Sequence, residues 1–141
     1  LFFSDAAELI NHPEVNAIYI ATPPSSHEKY TEQALKAGKP VYVEKPVSVD
    51  AGSCDRMVKL AKDLNGKVSV AHYRRGLPLF QKVKSLVHDG VIGKVRVIQM
   101  SVLQPPSTKI ITQTEDHWRV KPEISGGGLF NDLSPDQLDI M

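Results

Sequence analysis

Three short apolar runs, separated by segments of helical period, constrain this chain more than any other feature. The runs are VNAIYIAT (Val15 to Thr22), VYVE (Val41 to Glu44) and KVSVAH (Lys67 to His72). Each is too short for an apolar helix, is rich in Val, Ile or Tyr, and is bounded by Pro, Gly or Asn. VNAIYIAT is mostly apolar, which predicts a strand buried on both faces, as in a parallel sheet. Ser4-Asp5 followed by Ala6, Leu9 and Ile10 predicts a capped helix that His12-Pro13 ends. PPSS breaks the first run, and Ser26 is placed to cap a helix running to Ala37 with Gly38 at its C′ position. Pro46 halts the second run. Asp50 then caps a helix in which Ala51, Cys54, Met57 or Val58, Ala61 and Leu64 recur at helical spacing, and Asn65-Gly66 ends it. No hairpin turn joins one strand directly to the next. The order α-β-α-β-α-β with short connections is the signature of right-handed parallel βαβ units, so the predicted class is α/β.

The character changes at YRRGLP, which places a domain boundary between Tyr73 and Pro78 and divides the chain into residues 1–74 and 75–141. Beyond it, Leu79, Phe80, Val83, Leu86 and Val87 form one apolar helix stripe, DGVIGKV is a turn, and KVRVIQMSVLQ reads as a longer strand. Its Val95, Val97, Met100 and Val102 break strict alternation, which predicts a bulge or two-sided burial. PPSTK is a loop, and residues 104–125 have weak periodicity in which Trp118 and Arg119 stand out. The tail GGGLFNDLSPDQLDIM admits two readings. As one helix from Gly128 it puts Asp132, Asp136 and Asp139 at i, i+4 and i+7 on one face. Alternatively, Ser134 caps a helix starting at Pro135, with Gln137 completing a capping box.

Bulk properties exclude several classes of function. A net charge of +1 gives no general attraction to nucleic acid or anionic membrane. One cysteine, Cys54, rules out an internal disulfide and fits a reducing compartment. No apolar run approaches the ~20 residues that span a bilayer. The expectation is a soluble cytoplasmic protein. Leu1 is not an initiator residue and the pattern is already under way there, so a portion of a longer protein is expected.

Two loops stand where chemistry is expected. In open parallel sheets, ligands bind at the carboxyl ends of strands, and Thr22 to His27 follows the first strand there. It is either an ordinary strand-helix connection or a polar ligand loop stiffened by Pro23 and Pro24. Glu44 and Lys45 end the second strand, as a surface ion pair or as an acceptor for a ribose hydroxyl beside a cation that polarises an oxygen. The three aspartates of the tail admit a Mg²⁺ or Ca²⁺ site, although acids near a helix N-terminus are favoured without any ligand; no metal is assigned. His72-Tyr73-Arg74-Arg75 reads as a polar interdomain segment or a phosphate or nucleic-acid patch. His12, His88 and His117 lack metal-ligand spacing, and Cys54 sits on an apolar stripe.

Taken together, IATPPSSH, ALKAGKPVYVEKP, DGVIGKV and WRVKPEISGGGLFNDLSPDQLD, in this order and spacing, resemble the Gfo/Idh/MocA family of nicotinamide-dependent oxidoreductases. The resemblance covers nearly the whole chain. It implies the second half of a Rossmann domain that binds NAD or NADP, followed by the start of an α/β substrate and oligomer domain. The implied reaction moves a hydride between nicotinamide and the carbinol or carbonyl of a sugar, cyclitol or related polyhydroxy compound, in a homo-oligomer when full length. By position, Thr22, Pro23 and His27 would line the cofactor cleft and Glu44 would contact the nicotinamide ribose. Lys45 would sit beside the nicotinamide and the reacting oxygen. Trp118 and Arg119 match a WR element near cofactor or substrate, and Arg74 or Arg75 would reach substrate. Asp132 would orient substrate, and Asp136 would stand in the proton-transfer position.

Two departures from the family pattern bear on function. No G-x-G-x-x-G phosphate fingerprint occurs in the sequence, and its place in such a fold is upstream of Leu1. Asp136 stands where the family places histidine. Ordinary pKa values of about 6.5 and about 3.9 make the aspartate roughly 2.6 units weaker as a base, or about 3.5 kcal/mol of proton affinity. Burial beside Asp132 would raise its pKa and a nearby Lys45 would lower it, leaving both a tuned base and a crippled site open. Two rival functions follow: a non-catalytic homologue that senses or scaffolds, and redox-neutral glycoside hydrolysis with tightly held NAD.

Overall fold

The computed structural model describes residues 2–103 and 118–141. Helix α1 (Ala6–Asn11) begins where the Asp5 carboxylate accepts the N–H groups of Ala7 at 2.6 Å and Glu8 at 3.2 Å. Strands β1 (Ile18–Ile20), β2 (Val41–Val43) and β3 (Val68–Val70) alternate with α2 (His27–Lys36) and α3 (Ala51–Asp63). They form a parallel sheet in the order β1-β2-β3, with Ile18 beside Val41 and Val41 beside Val68. The expected α-β-α-β-α-β order with parallel strands is what forms.

Ile18, Ile20, Val41 and Val43 point to one face and, with Ile10, Ala34 and Leu35, make the core. The strand predicted to be buried on both faces is buried on one. Both crossover helices lie on the same side of the sheet, so Tyr19 and Tyr42 stay 58% and 40% exposed on the other, their rings 5.6 Å apart. Gly38, at φ +72°, follows the end of α2 as predicted. Ser26 does precede α2, yet its side chain makes no cap bond, because its hydroxyl donates to Thr22 Oγ1 and the Pro23 carbonyl. Asp50 caps α3 through the Ser53 N–H at 2.8 Å. That helix buries Ser53 and Met57 with Leu60 and Ala61 beside the core, while Val58 and Leu64 face outward. At about 100° per residue Val58 lies a quarter-turn from Met57, and Leu64 is already the cap residue.

Helix α4 (Pro78–His88) forms where the apolar stripe predicted it, but Leu79, Val83 and Val87 remain exposed. The strand expected in KVRVIQMSVLQ does not form over residues 95–103, and Val97 is 83% exposed. A strand exists through its ladder partner, and none of the described residues pairs with this segment. The predicted PPSTK loop lies outside the described residues.

The tail returns to the sheet through α5 (Pro122–Ser125) and α6 (Gly128–Asp139). It is one helix running through Pro135, rather than one starting there. Gly126, at φ +85°, lies so close to Val49 that a Cβ would stand 2.7 Å from the Val49 carbonyl oxygen. The glycine run therefore serves backbone packing against the segment after β2, which seats α6 beside Lys45. Among the described residues no helix is long and apolar enough to cross a membrane.

Candidate active site

A parallel sheet brings the ends of all its strands to one edge. Thr22 to Ser26 follows β1, Glu44 to Pro46 follows β2, and His72 to Arg75 follows β3. The first two loops are pinned together by His27. Its ring is 1% exposed, with Nε2 2.7 Å from the Thr22 carbonyl and Nδ1 3.0 Å from the Pro46 carbonyl. Expected to line a cofactor cleft, His27 lies beneath the surface with both nitrogens on backbone oxygens. Thr22 is exposed at the rim and Pro23 is partly exposed beside it. The Lys45–Pro46 peptide is cis.

Lys45 is the centre of the arrangement. Its Nζ donates to the Asp132 carbonyl at 2.6 Å and to Asp132 Oδ1 at 3.2 Å, joining the end of β2 to α6. Pro135 has no N–H for the carbonyl of Asn131, so the ladder of α6 is interrupted next to the carbonyl that Lys45 uses. Asp132 Oδ2 accepts from Arg119 Nε at 3.2 Å, and the Arg119 guanidinium lies 4.4 Å from the Trp118 ring centre. Lys45, Asp132, Arg119 and Trp118 are thus brought together.

Asp136 stands one turn further along the same face and does not meet Lys45. Its Oδ2 lies 3.4 Å from Arg74 Nε, and the residue is 6% exposed. Its buried Oδ1 has no hydrogen-bond partner among the described residues. Asp139, another turn on, accepts from both Nε and Nη2 of Arg75. Nδ1 of His72 is 4.0 Å from Asp139 Oδ1, and burial, followed by the charge of Arg75, holds the His72 pKa below its ordinary value. The three aspartates therefore each meet a cation from another element. Among the described residues no three acid, imidazole or thiol groups converge as metal ligands.

Glu44 is held from below. Tyr19 Oη donates to its Oε1 at 2.5 Å, and the Lys45 N–H reaches Oε2 at 3.2 Å. The bond to Glu44 raises the Tyr19 pKa above its ordinary value. Sequence reasoning passed over Tyr19, although register would have found it. Tyr19 pairs with Tyr42, and Glu44 is two residues further on the same face. The sequence leaves Arg74 and Arg75 undistinguished, and in the structure Arg74 faces Asp136 while Arg75 faces Asp139. The signal was the i+4 step from Asp132 to Asp136, which brings the partner of Asp136 within a helical turn of Lys45.

A ribose needs acceptors for its hydroxyls, and a carboxylate has about four acceptor positions. Glu44 uses two, so the residues present fit a nicotinamide nucleotide at this edge.

A family model described as "Oxidoreductase family, NAD-binding Rossmann fold" matches residues 2–72, and one described as "GFO/IDH/MocA C-terminal domain" matches residues 80–141. The chain is 46% identical over 138 residues to oxidoreductase P35 of Formosa agariphila, covering 98% of this chain and 43% of that one. The aldose-aldose oxidoreductase of Caulobacter crescentus, solved with glycerol, superposes with a TM-score of 0.77 at 27% identity over 95% of this chain and 38% of its own. A scyllo-inositol dehydrogenase from Lactobacillus casei, solved with NAD(H) and scyllo-inositol, superposes with a TM-score of 0.61 at 30% identity over 64% of this chain and 27% of its own. The chain thus spans less than half the length of the relatives it matches. Parallel βαβ units, the bridge from β2 to α6, and both family matches make this chain a member of the Gfo/Idh/MocA oxidoreductase family, with an NAD-binding Rossmann fold in its first part.

Proposed function

We propose that the full-length protein carrying this chain is a cytoplasmic NAD- or NADP-dependent oxidoreductase acting on the CH–OH group of a sugar, cyclitol or related polyhydroxy compound. The bridge from Lys45 to the backbone carbonyl and Oδ1 of Asp132 is the observation that carries this reading. The kinds of substrate named for the Lactobacillus and Caulobacter relatives support it. We further propose that residues 1–74 belong to the nucleotide domain and 75–141 to the substrate domain, a division supported by family matches that end at 72 and resume at 80.

An ammonium group has three N–H donors. Among the described residues two of those on Lys45 are taken by Asp132, so the third is available to the oxygen of the reacting carbon. In the reducing direction Lys45 polarises the carbonyl and gives its proton to the developing alkoxide. In the oxidising direction it takes the hydroxyl proton back. Asp132 holds the nitrogen in place, and Glu44, fixed by Tyr19, accepts from a ribose hydroxyl. A bound nicotinamide dinucleotide supplies the hydride acceptor or donor. Trp118 and Arg119 close one side of Asp132, while Thr22 and Pro23 form the rim over the His27 clip.

The test incubates full-length protein with NAD⁺ or NADP⁺ and a panel of inositols, aldoses and their acids. Formation of reduced nicotinamide with at least one polyol, lost in Lys45→Met, is the expected result. Hydrolysis of a glycoside without net cofactor reduction would select the redox-neutral rival, and binding without any turnover would select the non-catalytic one.

A further inference from the structure

Asp132 and Asp136 are four residues apart on one helix, which places their side chains about 6 Å apart along its axis. The first holds Lys45, and the second holds Arg74. At the second position, therefore, the more exposed group is a guanidinium and not the carboxylate behind it. The Asp136 side chain is 8% exposed, whereas the Arg74 side chain is 37% exposed. The closest approach of Arg74 to Asp136 is through Nε at 3.4 Å, and among the described residues its two terminal nitrogens have no hydrogen-bond partner. Arg75 differs, because both its Nε and its Nη2 are spent on Asp139.

On the proposed oxidoreductase reading, we infer that the substrate is a polyhydroxy acid whose carboxylate is read by Arg74, with Asp136 as the residue that positions Arg74. The open edge of a guanidinium offers two parallel N–H groups, the geometry of a carboxylate. It has no acceptor, so it favours an oxyanion over a hydroxyl that must also donate. A phosphate dianion would call for a second uncommitted cation. Lys45 and Arg119 already face Asp132, and Arg75 faces Asp139. One helical turn separates the carboxylates that hold Lys45 and Arg74, a spacing on the scale of a carboxylate a few bonds from the reacting hydroxyl. The aspartate at position 136 thus exchanges a proton-transfer role for a charge-recognition role. The proton balance is unchanged: Lys45 carries the hydroxyl proton and the hydride passes between the carbinol carbon and nicotinamide.

The experiment compares matched acids and neutral sugars on full-length protein: galacturonate with galactose, glucuronate with glucose, gluconate with glucitol. Wild type is expected to prefer the acid in kcat/KM by about 10- to 100-fold, the range of a charge-assisted hydrogen bond. Arg74→Lys keeps a cation against Asp136 but loses the planar fork, and should reduce that ratio by about tenfold. The double variant Arg74→Gln/Asp136→Asn strands no buried charge and should bring the ratio to about one. Calorimetric binding of galacturonate, measured apart from turnover, should be present in wild type and lost in the double variant. Equal or better use of the neutral member, a preference that survives the double variant, or stronger use of glucose 6-phosphate, assayed beside glucuronate, would each overturn the proposal. If no panel member is turned over with either cofactor, the oxidoreductase reading fails instead, and the calorimetric comparison still decides whether Arg74 reads a carboxylate.

Discussion

On the proposed function most of the chemistry rests on Lys45, and among the described residues its two bonds to Asp132 leave one N–H for a ligand. Replacing it with Met should lower kcat by about 10²- to 10³-fold, the usual effect of deleting one donor to a developing oxyanion, with a smaller change in KM. Tyr19 offers a milder test. Tyr19→Phe deletes the 2.5 Å bond to Glu44 without touching the cleft. A lost hydrogen bond of about 1 kcal/mol predicts a roughly fivefold rise in the cofactor KM or Kd at nearly constant kcat. His72 gives a prediction in pH. Its folded pKa is lowered, so below the ordinary value near 6.5 the unfolded chain takes up a proton that the folded chain refuses. Stability from this group is therefore undiminished above the ordinary value and falls as pH drops from there toward the lowered one. His72→Gln should flatten that part of the stability-pH curve in chemical denaturation, while a slope that is unchanged would argue against it.

At the scale of elements, the seating of α6 decides whether Asp132 reaches Lys45. Gly126 makes that seat, with a positive φ and the Val49 backbone pressed against it. Gly126→Ala adds strain from a left-handed backbone of roughly 1–2 kcal/mol and a clash with main-chain atoms that cannot rotate away. It should lower the denaturation midpoint and, at temperatures where the protein stays folded, reduce kcat more than cofactor affinity. Normal stability with normal turnover would show that α6 does not depend on this contact. The elements also show where sequence reasoning ran out. The βαβ order was legible because apolar runs, caps at Asp5 and Asp50, and Gly38 are local signals. The tail was ambiguous because Pro135 can start a helix or sit inside one, and only tertiary packing chooses. The segment KVRVIQMSVLQ misled because β-propensity reports fitness for a ladder and says nothing of whether a partner is present.

At the scale of the whole molecule, the site joins sequence segments that no local pattern connects. Lys45 and Asp132 are 87 residues apart, and Arg75 and Asp139 are 64 apart. The candidates themselves were readable as residues at strand ends and on one helix face. Their pairing was not, since one helix face carries three carboxylates and four nearby cations could serve them. The structure assigns Lys45 and Arg119 to the first carboxylate, Arg74 to the second and Arg75 to the third. On the proposed reading, that division separates proton chemistry at one end of α6 from charge recognition further along. It rests on Lys45 and Asp132 acting as one unit across the two parts of the chain. The most direct measurement is a double-mutant cycle on the single-turnover rate of nicotinamide reduction in the full-length protein, using Lys45→Met, Asp132→Asn and both together. Each single change should slow the step by about 10²- to 10³-fold, with the double variant little slower than the worse single one. Losses that simply multiply, or a Lys45→Met enzyme that transfers hydride at the wild-type rate, would contradict the account.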